Sequence, residues 1–206
     1  MIGFQGLVRV CVLAIALFSA SPGAYAQEAD AEGAYKFAVF AGGCFWCTES
    51  DFEALPGVVE AISGYAGGRK PKPTYEEVSR GDSGHIEVVK VIYDPAKVTY
   101  ADLVKFYWKT VDPTVTNRQF CDAGPQYRTA IFFATAAQRQ EAERSKNELI
   151  ASKVLPRVTT EILMLNTFWP AEEYHQDYYK KNPIRYKYYR NGCGRDARLK
   201  EIWQTR

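Results

Sequence analysis

Two cysteines three residues apart, Cys44 and Cys47 in "AGGCFWCTES", are the side chains of this 206-residue chain best suited to chemistry. A Cys-x-x-Cys pair can be a redox couple, half of a metal site, a haem attachment or an ordinary disulfide. Haem attachment needs a histidine directly after the second cysteine, and Thr48 stands there. Zinc needs a second ligand pair at short spacing, whereas Cys121 and Cys193 stand alone and the only histidines are His85 and His175. Redox chemistry and structural pairing remain. In one helical turn the two Cα atoms would lie roughly 5 Å apart, within disulfide range. A cysteine where a strand gives way to a helix meets unpaired backbone N–H groups that favour its thiolate. The gain is about 0.3–1 kcal/mol, less than one pKa unit. No Lys or Arg lies within the motif. A nucleophilic Cys44 therefore needs a cation brought in by the fold, or a proton donor acting on the substrate. Phe45 and Trp46, between the cysteines, suit either the core or the wall of a pocket.

The surrounding elements would supply that junction. "YKFAVFAGG" reads as a buried strand ending in glycines, and "CFWCTESDFEAL" as a helix stopped by Pro56-Gly57. "VVEAISGYAGG" and the alternating "HIEVVKVIYDP" read as strands. Thr99 can cap "YADLVKFYWKTVD", and Thr135 a charged helix over residues 136–153. "YRTAIFFA" and "VTTEILMLN" complete the strands, and "GRDARLKEIWQ" is helical in pattern. Strands and helices alternate imperfectly, which predicts a single α+β domain: a two-layer sandwich with a central mixed sheet and flanking helices. The loops over residues 69–84 and 113–126 are longer than a compact domain needs and are expected to carry function.

The first 26 residues read as a signal peptide: Arg9, the apolar run "VCVLAIALFSA", and small residues Ala24 and Ala26 before Gln27. An uncleaved anchor is the alternative. Residues 27–34 form a polar leader, and 35–206 the domain. The chain is expected to be exported, to the periplasm in a bacterium, as a monomer without stable membrane insertion. With 26 Lys and Arg against 24 Asp and Glu, nothing points to nucleic acid or an anionic membrane surface. Outside the leader the cysteines are Cys44, Cys47, Cys121 and Cys193, an even number that in an oxidising compartment first suggests two structural disulfides.

"GGCFWCTE" resembles the Gly-Cys-Phe-Trp signature of the A-type peptide methionine sulfoxide reductases. The resemblance continues in order through "LPGV", "SGYAGG", "PTYEEV", "GDSGHIEVVKVIYDP", "FYWKTVDPT", "QFCDAGPQYRTAIF", "TTEI" and "FWPAEEYHQDYYKKNP", most of residues 37–183. It implies reduction of the S epimer of methionine sulfoxide, free or in proteins, by external thiols. Cys44 then matches the nucleophile and Glu87 the acid that protonates the sulfoxide oxygen. Tyr65 and Tyr127 match tyrosines that hydrogen-bond that oxygen, and Asp122 an aspartate that organises the site. Phe45 and Trp46 match the wall around the substrate's S-methyl group. A carboxyl group serving as acid near pH 7 must sit in buried, apolar surroundings. Read from its strand pattern alone, Glu87 would be solvent-facing. The products would be methionine and a Cys44 sulfenic acid, which a second thiol condenses to a disulfide. No metal or organic cofactor is implied, and the reductant would be thioredoxin or a thioredoxin-like protein.

Many relatives carry glycine at the position of Cys47 and place resolving cysteines in a flexible glycine-rich tail. Here Cys193 in "YYRNGCGRD" is the favoured resolving thiol, with Cys47 next, and Cys121 reads as a small buried side chain. His85 and His175 read as structural. The runner-up function is thioredoxin-like disulfide exchange through Cys44 and Cys47; a secreted two-disulfide domain comes third.

Overall fold

The computed structural model describes Met1 and residues 35–204, so the signal peptide and leader expected over residues 1–34 lie, Met1 excepted, outside the described residues. Among the described residues no helix is long and apolar enough to cross a membrane. The first half of the chain forms β1 (Lys36–Gly42), α1 (Phe45–Glu53), β2 (Val58–Ala66), α2 (Tyr75–Ser79), β3 (Ile86–Tyr93) and α3 (Tyr100–Thr110). Short strands β4 (Arg118–Gln119) and β5 (Asp122–Ala123) precede β6 (Thr129–Phe133), α4 (Ala136–Ala151), β7 (Glu161–Met164) and β8 (Trp169–Pro170). Three helices end the chain: α5 (Tyr178–Lys181), α6 (Pro183–Gly192) and α7 (Arg195–Gln204).

Six strands form one sheet in the order β7-β6-β1-β3-β2-β8, antiparallel except for the β6–β7 pair. This is the expected mixed sheet. Its side chains alternate, as pleating requires. Ala38, Phe40, Val89, Val91 and Ile131 join Phe52, Leu103 and Tyr107 of α1 and α3 in the main core. Val39, Ala41, Ile86, Val88 and Phe132 form a second cluster, with Leu165 and Phe168 against it. Phe40 stacks on Phe52 at 4.8 Å and on Tyr107 at 5.1 Å, locking both helices to β1. Each such buried side chain stabilises the fold by roughly 1.5–3 kcal/mol.

The helix starts follow their sequence signals. Thr74 and Thr99 each head a capping box, with Glu77 and Asp102 as reciprocal partners, and the Thr135 side chain accepts the Gln138 N–H. α1 differs: its N-cap is Cys44, which makes no side-chain capping bond.

The tail is where expectation and structure part. Instead of a glycine-rich swinging segment, α6 and α7 pack back onto the β1–α1 junction. Arg195, 1% exposed, donates to the carbonyls of Gly42 (3.2 Å) and Thr110 (2.8 Å), and Trp203 Nε1 donates to Val111. Arg190 pairs with Asp51 of α1 at 2.7 Å. Cys193 caps α6, and Gly194 (φ 69°) makes the turn into α7.

Candidate active site

The site is built around the turn from β1 into α1. Gly43 has φ 81°, and a Cβ there would lie 2.5 Å from the Gln119 side chain. Only glycine serves both the left-handed backbone and that close approach. Gln119 in turn holds Asp112 through both amide atoms, so the loop leading to Asp122 is fixed against the junction. Cys44 follows, 6% exposed, its carbonyl accepting the N–H groups of Cys47 and Thr48.

Glu87 comes from β3, in the centre of the sheet beside Tyr65 of β2. It shares the helix-facing side of its strand with Val89 and Val91, so it is buried rather than solvent-facing (2% exposed). One carboxylate oxygen accepts the Phe45 N–H at 3.0 Å, tying the acid to the first residue of α1. Burial raises its pKa to about 8; the Phe45 N–H opposes this, while Asp122 and Cys47 add to it. At neutral pH Glu87 is therefore mostly protonated, as a proton donor must be.

Burial also pushes the Cys44 thiol well above its ordinary range, helped by Cys47 and Glu87, while a hydrogen bond with Tyr189 acts the other way. Cys47 moves down: a hydrogen bond with Cys44 favours its thiolate, as do the guanidiniums of Arg195 and Arg190. The fold thus brings cations to the pair that the motif lacks, but they act first on Cys47. Cys44 rests as a thiol.

A cavity of about 80 Å³ opens over these groups, lined by Cys44, Phe45, Trp46, Glu87, Asp122 and Tyr127, with Tyr75 and Tyr189 at its sides. Six of the seven residues matched to catalysis or substrate contact thus converge, although they come from β1–α1, β3, β5 and the turn at Pro125–Tyr127. Both long loops contribute: Tyr75 from one, Asp122 from the other. The Trp46 ring is fixed by stacking on Tyr178 at 3.7 Å, and its Nε1 donates to His175 Nδ1 at 3.0 Å.

Tyr65 is the exception. It is wholly buried, its hydroxyl donates to Glu172 at 2.8 Å, and it does not line the cavity. Tyr75 of α2 lines the cavity instead, and its own N–H donates to the other Glu172 oxygen at 2.8 Å. The sequence carried a signal for it: the capping box at Thr74 and Glu77 starts a helical turn, with Tyr75 its first residue, inside a loop marked for function. Tyr189 had no comparable signal. His85 is structural, as expected: its Nδ1 accepts the Gly68 N–H and its Nε2 lies 2.8 Å from the Lys70 carbonyl.

The remaining cysteines correct two further expectations. Cys193 is bonded to Cys121, so it is not a free thiol facing Cys44, and Cys121 is exposed rather than buried. Cys44 and Cys47 are free and buried. Among the described residues one disulfide is therefore formed where the even cysteine count suggested two. Two clusters among the described residues carry metal-ligand types, but the sulfurs beside Asp122 are spent in that disulfide, and Lys180 lies 2.6 Å from Glu53 in the Glu49–Glu53–Asp177 group.

Residues 36–206 match the family model described as peptide methionine sulfoxide reductase. The chain is 50% identical to the peptide methionine sulfoxide reductase MsrA 2 of Caulobacter vibrioides, over 92% of this chain and 97% of that one. It is 51% identical to the MsrA 2 of Rhizobium meliloti, over 83% and 85% of the two chains. Its fold resembles the reduced form of Mxr1 from Saccharomyces cerevisiae, with a TM-score of 0.70 and 33% identity over 76% of this chain and 90% of that one.

Proposed function

The chain belongs to the peptide methionine sulfoxide reductase family, an oxidoreductase family acting on methionine sulfoxide, and from that premise we propose that Cys44 is the nucleophile and Glu87 the acid. The observation that carries this reading is the buried Glu87, anchored to the Phe45 N–H and lining one cavity with Cys44. The family membership takes precedence over thioredoxin-like disulfide exchange and over a purely structural domain.

A sulfoxide oxygen is a good hydrogen-bond acceptor and a poor leaving group, so attack on its sulfur requires proton transfer to that oxygen. In the reading proposed here, Glu87 gives its proton to the oxygen as the Cys44 sulfur bonds to the substrate sulfur. The proton lost from the Cys44 thiol leaves the carboxyl protonated again. The protonated oxygen then passes to the Cys44 sulfur as the substrate sulfur's bonds to Cys44 and to oxygen both break. This releases methionine and leaves a Cys44 sulfenic acid; methionine sulfur is reduced by two electrons and the cysteine sulfur oxidised by two. Tyr127 and Tyr75, in place of Tyr65, are the phenols placed to bind the oxygen, and Asp122 helps orient them. Phe45 and Trp46 form the methyl-binding wall, which in a chiral pocket selects the S epimer.

Cys47 replaces Cys193 as the resolving thiol. It is the free cysteine one helical turn from Cys44, packed in the same buried cluster, whereas Cys193 is already bonded. Its attack on the sulfenic acid forms the Cys44–Cys47 disulfide and releases water, and an external dithiol of thioredoxin type returns both thiols. The leader sequence supports export, which would place that reductant outside the cytosol.

The test is a single-turnover assay with each sulfur epimer of a methyl sulfoxide. Cys44→Ser should form no methionine. Cys47→Ser should form one equivalent from the S epimer and stop at a trappable sulfenic acid. Methionine formation by Cys44→Ser would overturn the nucleophile, and normal turnover by Cys47→Ser would overturn the resolver.

A further inference from the structure

The cavity contains one reactive-site neighbour for which neither the motif nor the acid chemistry accounts. Tyr189 reaches it from α6, far along the chain from the other lining residues. Its hydroxyl donates to Asp122 Oδ2 at 2.6 Å, and its ring packs against the Cys44–Cys47 cluster and lines the same cavity as the Cys44 sulfur. Its ring meets Trp46 edge-on at 5.9 Å and 80°.

The phenol is held from two directions. The Cys193 N–H donates to the Tyr189 carbonyl at 2.9 Å, and Cys193 is bonded to Cys121, the residue before Asp122. The segments carrying the donor and its carboxylate partner are therefore tied together by a covalent bridge. Burial, together with Cys44 and Asp122, drives the ionisation of Tyr189 far above the usual phenol range. It keeps its proton throughout and acts as a donor, not an acid.

A phenol has one proton to donate. A neutral thiol is a weak acceptor, so in the resting site the bond goes to Asp122. A thiolate competes for it, because bonds to charged acceptors are roughly twice as strong as neutral ones. We propose that Tyr189 is a catalytic residue of this site, its O–H passing from Asp122 to the Cys44 sulfur as that sulfur ionises and steadying the thiolate for attack. No proton leaves Tyr189 in this exchange; only its acceptor changes. The inference rests on Cys44 being the nucleophile. The other ionisable groups around that sulfur are Cys47 on its own helix, Glu87 on β3, Asp122 on β5, and the phenols Tyr75 and Tyr127; Arg195 of α7 acts on Cys47 and Asp122.

The experiment follows the pH dependence of iodoacetamide alkylation at Cys44, read on the Cys44 peptide by mass spectrometry, in a Cys47→Ser background that leaves Cys44 the one free thiol among the described residues. Tyr189→Phe should raise the midpoint by about one pH unit, the loss expected for a hydrogen bond to a charged group. In the otherwise unaltered protein it should slow single-turnover methionine formation about 10-fold with sulfoxide affinity within about two-fold. Replacing Tyr189 by 3,5-difluorotyrosine, a stronger donor of the same shape, should lower the midpoint, and this decides the matter if the phenylalanine variant does not fold. An unmoved midpoint in either protein, or a rate loss that appears wholly as weaker sulfoxide binding, overturns the proposal. The two readings fail separately: methionine formation by Cys44→Ser removes the nucleophile, whereas an inactive Cys44→Ser with an unshifted Tyr189→Phe removes only the role of Tyr189.

Discussion

The two cysteine pairs of this domain use the same atoms under opposite conditions. Cys44 and Cys47 are close because they share one helical turn, and both are buried and unbonded. Cys121 and Cys193 are separated by 72 residues, lie nearer the surface, and are bonded. The first pair adjoins a carboxyl group that burial keeps protonated; the second adjoins Asp122, which accepts the Tyr189 hydroxyl. Proximity along the chain leaves a pair free to cycle. Proximity created by the fold, once bonded, ties the tail to the site.

The difference can be broken at the bonded pair first. Replacing both Cys121 and Cys193 by Ser should cost roughly 4 kcal/mol of unfolding free energy on the loop-closure view. Urea unfolding under non-reducing conditions measures it. An unchanged midpoint would mean that the bridge constrains nothing.

The acids beside the two pairs should separate next. Glu87→Gln should slow the single-turnover chemical step by about 10²-fold or more, the scale of general acid catalysis. Asp122→Asn, which keeps an acceptor for Tyr189, should cost less. Equal losses would erase the distinction between a proton donor and an orienting group.

The smallest effect is on stability. The folded-state pKa of Glu87, about 8, lies above the value near 4.3 of an exposed glutamate. Its protonated form is favoured by folding, so its contribution is complete below about pH 4 and is lost as pH rises through 8. Glu87→Gln should therefore gain on the parent protein between pH 5 and 8.5, on the order of 1–3 kcal/mol, read as a difference in Tm that widens with pH. Glu49, raised by burial to about 7 but bonded to Ser63 and to the Asp177 N–H, slopes the same way in both proteins and cancels in the comparison.

Much of the reactive half was legible because its geometry is local. A strand ending in Gly42-Gly43, a helix beginning at Phe45 and capping boxes at Thr74 and Thr99 follow from short-range sterics and hydrogen bonding. Glu87 could even have been read as buried from its strand: two and four residues on stand Val89 and Val91, on the same face. Tyr65 misled because its neighbourhood matches a motif while its hydroxyl is claimed by Glu172, a residue 107 positions away. The Tyr-rich tail showed no clear periodicity, so α6 and Tyr189 were not foreseen.

What the sequence alone determined, then, is the β1–α1 turn with its cysteine pair, the alternation that makes the sheet, and the family that these motifs mark. Tertiary structure alone decided that Tyr75 rather than Tyr65 faces the cavity, that Cys193 meets Cys121, and that Arg195 lies buried under the reactive turn. The physical reason is range. Helix starts and strand faces are set by neighbours a few residues away, whereas a buried hydrogen bond or disulfide between distant segments depends on how whole elements pack.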